Sequence, residues 1–354
     1  MAEDQTEQHT TPCLATFLDL CSYPPEDLKN YVSHQFRQLN KRQLARLAKR
    51  KDPQSAYSLT VAMSESAEAK NRYIDIIPFD RNRVKLVRPE LGRRGDRDYI
   101  NASWIHAPFG LQRRYIASQG PLPSTVMDFW RMIVEQDVRV IVCLTPEVEN
   151  GYEKCAAYWP SDGETKQAIE PLVDDEEARD GGFLKHPLPH RSRLAVLLRN
   201  IEETRVAEAD CIVRQIEVTF MRTDQEEVLA STQVTQLQFL GWSDHGVPQQ
   251  TQQVIELVKL ANQCQPAEAG PMVIHCSAGC GRTGTFCVID SGIEWMRQQS
   301  DDKQDRDGKN TRLDLVYELT DAFRKQRTTM VQAMGQYAFC YRALWDIYKQ
   351  DMDR

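Results

Sequence analysis

The sequence predicts an α/β fold, because strand-like and helical segments alternate from residue 73 onward. Residues 138–144 form a short, nearly continuous apolar run, which is typical of a buried strand. Three more segments carry a strand pattern, at residues 194–201, 211–220 and 227–239. Apolar residues recur at helical spacing in three others, at residues 251–262, 283–297 and 313–326.

The chain shows no internal repeat, and we expect one folded domain over residues 25–352. Residues 1–24 are mostly polar and end in a pair of prolines, so we predict a mobile N-terminal segment. Two inserts, at residues 161–192 and 299–310, are strongly polar and do not interrupt a periodic segment. We predict that both are mobile loops outside the fold.

Residues 27–51 are predicted to form a helix with two distinct faces. One face carries an apolar stripe, made of Val32, Phe36, Leu39, Leu44 and Leu47. The other is strongly basic and carries Arg37, Lys41, Arg42, Arg46, Lys49, Arg50 and Lys51. Such a face could dock a partner or direct nuclear import. A solvated face of a packed helix is the simpler interpretation.

The composition, with 41% hydrophobic and 27% charged residues, is that of a globular protein. No apolar run approaches the roughly 20 residues that span a bilayer, and the polar N-terminus does not resemble a secretory signal. We therefore expect no membrane anchor and a cytoplasmic location, with nuclear access open. The 51 acidic and 44 basic residues give a net charge of −7, which argues against general nucleic-acid binding. Ten cysteines are too sparse for a disulfide scaffold. The oligomeric state is not indicated.

Residues 271–286 carry the strongest chemical signal. An apolar strand ends at Cys276, small residues follow, and a helix begins near Arg282. Such a loop can turn successive backbone N–H groups inward, and the helix N-terminus adds positive potential, so the stretch predicts an anion cradle. A cysteine at its base would have a stabilised thiolate, and the Arg282 guanidinium could bind two oxygens of a tetrahedral oxyanion. The local pattern therefore suggests a cysteine that attacks phosphorus and forms a phosphocysteine.

Three other interpretations fit parts of this stretch. A buried cysteine at a strand end is more often inert packing than a catalyst. A metal site could use His275, Cys276 and Cys280, although no Cys-x-x-Cys pair in the chain would complete it. Rhodanese-like sulfur transferases also place a cysteine in an active-site loop. The intact run around Cys276 favours the phosphoryl chemistry.

The run HCSAGCGRTG, residues 275–284, resembles the active-site signature of the protein tyrosine phosphatases, the cysteine-dependent, phosphotyrosine-specific class, here of the non-receptor type. Further segments resemble this family in family order: Asn71-Arg72-Tyr73 with Asp75, and residues 98–103, 115–121, 154–160, 242–248 and 332–341. The resemblance covers about residues 28–350. It implies a single catalytic domain with a central, highly twisted mixed β-sheet flanked by helices.

The resemblance assigns the phosphoryl-binding residues. It implies that Cys276 is the nucleophile and that His275 tunes its pKa. Arg282 would bind the phosphoryl oxygens together with the loop backbone, and Thr283 would hydrogen-bond the sulfur and help it leave. The loop residues are Ser277, Ala278, Gly279, Cys280 and Gly281. This mechanism needs no metal, and we expect no cofactor.

The resemblance also assigns proton transfer and substrate recognition. Asp244 would be the general acid and then the general base, while Gln332 would orient the attacking water with the help of Gln336. Tyr73 would stack on the substrate ring and make the pocket deep enough to favour phosphotyrosine. Asp75 would accept hydrogen bonds from the backbone of a bound peptide.

Three more residues would support the site by resemblance. Glu149 would brace the arginine, Lys154 would contact the acid loop, and Trp242 opens that loop. The loop here reads Trp-Ser-Asp, whereas the family usually has Trp-Pro-Asp. Because Ser243 lacks the ring that fixes φ, we expect a more flexible loop and a reduced kcat rather than inactivity.

Two further positions depart from the family. Ile74 stands where some relatives carry a basic residue that favours acidic peptides. Thr329 stands where several members have glycine, and its side chain could narrow the entrance to a secondary phosphotyrosine pocket.

The expected function is hydrolysis of phosphotyrosine in proteins by a two-step phosphocysteine mechanism, with phosphotyrosine-containing proteins as partners. The alternative from another class is a catalytically weak phosphotyrosine-binding pseudophosphatase. Dual-specificity and lipid phosphatases use the same loop, but Tyr73 and its deep-pocket motif argue against them.

Overall fold

The computed structural model describes residues 12, 14–88, 91, 98–171, 193–242, 246–301 and 313–352. The α-helices in these ranges are α1 (Leu14–Cys21), α2 (Pro25–Leu47), α3 (Glu65–Glu68), α4 (Val126–Glu135), α5 (Thr251–Cys264), α6 (Gly281–Asp301), α7 (Leu315–Gln326) and α8 (Met334–Met352). The strands are β1 (Arg83–Lys85), β2 (Tyr99–His106), β3 (Arg114–Ser118), β4 (Val140–Cys143), β5 (Val148–Glu149), β6 (Tyr152–Glu153), β7 (Thr165–Pro171), β8 (Arg193–Val206), β9 (Cys211–Arg222), β10 (Glu227–Phe239) and β11 (Met272–His275).

Nine strands form one mixed sheet in the order β1-β2-β3-β11-β4-β10-β9-β8-β7. Strand β11 runs parallel to β3 and β4, and β4 runs parallel to β10, whereas the outer pairs are antiparallel. Strands β5 and β6 form a separate hairpin. The predicted α/β class, with a mixed central sheet and flanking helices, is confirmed.

The central strands are buried on both faces, and their side chains alternate between two hydrophobic clusters. In β4, Val140 and Val142 pack with helices α5 to α8, whereas Ile141 packs with α4 on the other face. In β11, Ile274 joins the first cluster and Val273 the second. Because β11 is central and parallel to both neighbours, its carboxyl end opens at the sheet edge where α/β folds bind ligands.

The N-terminal segment differs from the prediction. Residues 14–21 of the predicted mobile segment 1–24 form α1, in which Phe17 and Leu20 are buried. The two side chains recur at helical spacing, and Phe17 packs into the main hydrophobic core, so the mobility prediction is wrong for this part. Residues 1–11 and 13 lie outside the described residues.

The two predicted inserts also differ in part. Residues 165–171 form β7, which pairs antiparallel with β8 at the sheet edge, so the loop prediction for 161–192 is wrong there. The sequence of this strand is mostly polar and lacks the alternation of apolar residues that would predict a strand. The strand is held by its backbone pairing with β8. The remainder, 172–192, lies outside the described residues. In the second insert, α6 continues to Asp301, and residues 302–310 lie outside the described residues.

The predicted N-terminal helix is α2, but its stripe is shorter than expected. Val32, Phe36 and Leu39 are buried, whereas Leu44 is 69% exposed. Five residues advance a helix by about 140° beyond a full turn, so Leu44 lies off the face that Leu39 occupies. On the basic face, Arg42 and Arg46 bind Asp321 of α7 at 3.1 and 2.6 Å, so this face is partly packed. No described helix is both long and apolar enough to cross a bilayer.

Candidate active site

The loop between β11 and α6, residues 276–280, curls around the sulfur of Cys276. The Sγ atom accepts hydrogen bonds from the Gly279 N–H at 3.3 Å and from the Thr283 hydroxyl at 3.4 Å. Gly279 has a φ of 72°, and a Cβ there would lie 2.0 Å from the carbonyl oxygen of Ser118. Only glycine fits both the left-handed conformation and the close approach to β3.

These contacts change the acidity of Cys276, which is 5% exposed. Burial alone would raise the pKa of the thiol, but the hydrogen bond from Thr283 and the charge of Arg282 oppose it, and the net shift lowers the pKa. By contrast, burial and, to a smaller extent, the neighbouring Cys276 together raise the pKa of the Cys280 thiol to about 12. Of these two loop cysteines, only Cys276 has the character of a nucleophile.

Arg282 lies in the first turn of α6, with its guanidinium fixed beside the loop. Its Nη2 donates to Glu149 Oε2 at 2.8 Å, and its Nη1 donates to the carbonyl oxygen of Leu144 at 3.1 Å. Glu149 comes from the β5–β6 hairpin, so two distant segments orient one cation. A buried, oriented arginine can bind two phosphoryl oxygens without first losing side-chain entropy.

Arg327 supports the same loop from behind and was missed by the sequence reasoning. It is fully buried and donates to the carbonyl oxygens of Gly279 at 2.7 Å and Ala278 at 3.0 Å. Its other contacts are Ser103 Oγ and Asn101 Oδ1 on β2. Burial lowers the pKa of this guanidinium. In the sequence Arg327 follows a run of polar residues and resembles a surface position, so no signal pointed to it.

A buried chain of polar groups orients His275. The Gln236 amide donates to the Tyr158 hydroxyl at 2.9 Å, and this hydroxyl lies 2.7 Å from His275 Nε2. His275 Nδ1 lies 3.2 Å from the carbonyl oxygen of Cys276. Burial lowers the pKa of His275 to about 4, so the ring is neutral at pH 7. A proton on Nδ1 satisfies both ring nitrogens, with Nε2 accepting from Tyr158.

Of the predicted recognition residues, Tyr73 contacts the nucleophile loop. The hydroxyls of Tyr73 and Ser277 are 2.9 Å apart, which places the tyrosine ring beside the anion cradle. Asp75 is exposed, and Ile74 is 83% exposed. Arg72, to which the sequence assigned no role, fastens this segment by donating to the carbonyl oxygens of Gly120 and Pro121 at 3.1 and 2.8 Å.

The glutamine segment lies against the start of α6. Gln332 is exposed, and its Oε1 lies 3.9 Å from the Cys280 sulfur. Gln336 is buried and accepts the Ala333 N–H at 3.1 Å. A Cβ at Gly281 would lie 3.0 Å from Gln336 Oε1 and 3.2 Å from Gln332 Cβ. Both predicted glutamines therefore border the anion cradle.

The acid loop is described only at its ends. Trp242 is 2% exposed, and its indole N–H donates to the carbonyl oxygen of Gly246 at 3.0 Å, which ties the two ends together. Ser243 and Asp244 lie outside the described residues. Lys154, which follows β6, is half-buried, and its expected contact with this loop stays a prediction.

The family model of the protein-tyrosine phosphatases matches residues 67–174 and 191–346. The chain is 33% identical over 312 residues to human tyrosine-protein phosphatase non-receptor type 12, covering 87% of this chain and 34% of that protein. It is 35% identical over 289 residues to protein-tyrosine-phosphatase PTP1 of Arabidopsis thaliana, covering 81% of this chain and 72% of that protein. The chain thus spans about a third of the human relative and most of the plant relative.

Solved structures agree with this match. The catalytic domain of human protein tyrosine phosphatase non-receptor type 18 superposes with a TM-score of 0.70 at 30% identity, covering 94% of this chain and 99% of that one. A structure of the type 18 enzyme in complex with HER2 phosphopeptides has a TM-score of 0.72 at 28% identity and covers 94% and 98% of the two chains. With the family model covering most of its length, the chain belongs to the protein-tyrosine phosphatase family.

Proposed function

We propose that this chain hydrolyses phosphotyrosine in proteins through a phosphocysteine intermediate. The observation that carries the proposal is the Cys276 sulfur, which accepts two hydrogen bonds inside an anion cradle and has a lowered pKa. The Arg282 guanidinium is fixed beside it by Glu149. A thiolate, inward-pointing donors and an oriented cation are the groups that phosphoryl transfer to cysteine requires.

In the first step, the Cys276 thiolate attacks phosphorus. The S–P bond forms while the bond between phosphorus and the tyrosyl oxygen breaks. Asp244 gives its proton to the departing tyrosyl oxygen, because a phenolate leaves less readily than a phenol. The Arg282 guanidinium and the loop N–H groups stabilise the charge that spreads over the equatorial oxygens.

In the second step, water attacks phosphorus and the S–P bond breaks. The Asp244 carboxylate takes the proton from the water, which Gln332 orients. The sulfur leaves as a thiolate, and the Thr283 hydroxyl that already donates to it stabilises that charge. Phosphate then leaves the cradle, and the enzyme returns to its starting protonation state.

The pocket wall supports phosphotyrosine as the substrate. The Tyr73 ring stands beside the cradle through the contact of its hydroxyl with Ser277. With this ring as its wall, the pocket would be too deep for the shorter phosphoserine and phosphothreonine to reach the Cys276 thiolate. The phosphopeptides bound by the type 18 enzyme are consistent with phosphoproteins as partners. A cytoplasmic location is part of this proposal.

A phosphotyrosine-binding pseudophosphatase is the second candidate, and Ser243 is the observation that favours it. This serine stands beside the general acid where the family usually has proline. A loop that rarely closes would bind substrate and turn it over slowly. Binding without turnover would therefore replace the hydrolytic proposal.

Steady-state hydrolysis of a phosphotyrosine peptide, in EDTA and a reductant, tests the proposal. We expect metal-independent turnover that Cys276→Ser abolishes and Asp244→Ala lowers at least about a hundredfold. A phosphothreonine peptide of the same sequence should be a much poorer substrate. Tight binding without wild-type turnover would support the pseudophosphatase, and equal turnover of both peptides would contradict the phosphotyrosine specificity.

A further inference from the structure

The residues just before Gln332 adopt an unfavourable backbone conformation. Thr329 has a φ of 62° and Val331 a φ of 57°, so both lie in the left-handed region. Both are β-branched, and this region is costly for such side chains. Contacts from the surrounding structure must therefore hold these two residues in place.

Gln43 of α2 holds the first of them. Its side-chain Oε1 accepts the Thr329 N–H at 2.8 Å, and its Nε2 donates to the Thr329 hydroxyl at 3.2 Å. Both residues are half-buried, so these hydrogen bonds are partly shielded from water. The single side chain of Gln43 on α2 thus binds both the backbone N–H and the hydroxyl of Thr329.

Arg324 of α7 holds the next two residues of the segment, Met330 and Val331. Its Nε donates to the carbonyl oxygen of Met330 and its Nη2 to that of Val331, each at 2.8 Å. Its Nη1 donates to Asn40 of α2, also at 2.8 Å. The Val331 N–H donates to the carbonyl oxygen of Cys280 at 3.2 Å. The segment before Gln332 is therefore fastened to α2 on one side and to the nucleophile loop on the other.

We infer that Gln43 is a positioning residue for Gln332 and acts on the breakdown of the phosphocysteine. The inference rests on the proposed function. In that step the O–P bond forms from water, the S–P bond breaks, and the proton passes to Asp244. Gln332 has a role only where water attacks, since Cys276 is the attacking group in the first step. Loss of the Gln43 contacts should slow the second step and spare the first.

Rapid acid quench with a phosphotyrosine peptide that carries radiolabelled phosphate measures both steps in the full chain. In Gln43→Ala we expect the rate constant for phosphoenzyme breakdown to fall about tenfold, as for a displaced catalytic group. The rate constant for its formation should stay within about twofold of the wild-type value. Gln43→Glu keeps acceptors for both the Thr329 N–H and its hydroxyl proton, so it should recover most of the breakdown rate.

Gln38→Ala is the matched control, because this exposed glutamine of α2 contacts His34 and makes no contact with Thr329. It should leave both rate constants unchanged. Equal losses in both steps of Gln43→Ala would indicate general distortion and overturn the inference, as would an unchanged breakdown rate. A wild-type chain that forms no labelled intermediate would overturn the proposed function itself, which separates the two failures.

Discussion

The Tyr158 hydroxyl lies 2.7 Å from Nε2 of His275, and both side chains are fully buried. Through this contact, Gln236 on β10 is linked to the residue that precedes the nucleophile. The ring of His275 therefore has a fixed orientation and tautomer before any substrate binds. We therefore expect this hydrogen bond to affect the stability of the folded chain, and the burial of His275 to make that stability depend on pH.

Tyr158→Phe should lower the free energy of unfolding by about 1–3 kcal/mol, because it leaves His275 Nε2 and the Gln236 amide without their partner in the interior. Urea denaturation at pH 7 measures the change. Tyr152→Phe is the matched control, since that hydroxyl belongs to a residue that is 72% exposed. An equal effect of both substitutions would show that the buried hydrogen bonds contribute nothing net.

The lowered pKa of His275 predicts a loss of stability in acid. Burial brings the pKa in the folded chain to about 4, against 6.5 for the free side chain. Between these values the unfolded chain binds more protons, so the free energy of unfolding should fall as the pH decreases through this window. Urea denaturation across the window should give wild type a steeper slope than His275→Gln, by up to about 1.4 kcal/mol per pH unit. Parallel slopes would contradict the buried neutral histidine.

Thr283→Ala should raise the pKa of Cys276, because it removes the hydroxyl that donates to the sulfur. The pH dependence of alkylation by iodoacetamide, followed at Cys276, measures this pKa. The control is Thr285→Ala, whose hydroxyl is equally buried but donates to the carbonyl oxygen of Gly281 instead. If the alkylation rate at Cys276 has the same pH dependence in Thr283→Ala as in wild type, the Thr283 hydrogen bond does not stabilise the thiolate.

Ser243→Pro should raise kcat about two- to fivefold, because the proline ring reduces the entropy lost when the acid loop closes. Steady-state kinetics on a phosphotyrosine peptide provide the measurement. Ser243→Ala separates the effect of the ring from loss of the hydroxyl and should leave kcat near the wild-type value. An unchanged kcat in Ser243→Pro would exclude loop flexibility as a limit on the rate.

The predictable parts of the fold are the strands and helices whose pattern of apolar residues in the sequence matches their burial in the structure. Strand β10 has the bounds that its pattern predicts, Glu227–Phe239. Strand β7 was predicted as a loop, because it lies at the sheet edge and its polar residues give no burial signal. Helix α1 was predicted to be mobile, because residues 1–24 are mostly polar and end in two prolines, and a helix of eight residues is stabilised only by its packing on α8.

The residues of the candidate active site also fall into a group that the sequence identifies and a group that only the tertiary structure identifies. Cys276 and Arg282 lie in one short strand–loop–helix stretch, so the local pattern suggests a phosphoryl-binding cysteine, and the family resemblance adds the role of Thr283. Arg327 and Tyr158 act on the loop from 48 and 117 positions away, respectively, on the Gly279 carbonyl and His275. Their roles depend on tertiary contacts that no local pattern encodes, and each resembles ordinary packing or a surface position in the sequence.

Direct detection of the phosphocysteine tests the central claim. The wild-type chain is quenched in acid during turnover of a phosphotyrosine peptide, digested at low pH and mapped by mass spectrometry. We predict one phosphoryl group on the peptide that contains Cys276, present in Cys280→Ser and absent in Cys276→Ser. Turnover without a phosphoryl group on Cys276, or with one on another residue, would contradict the mechanism.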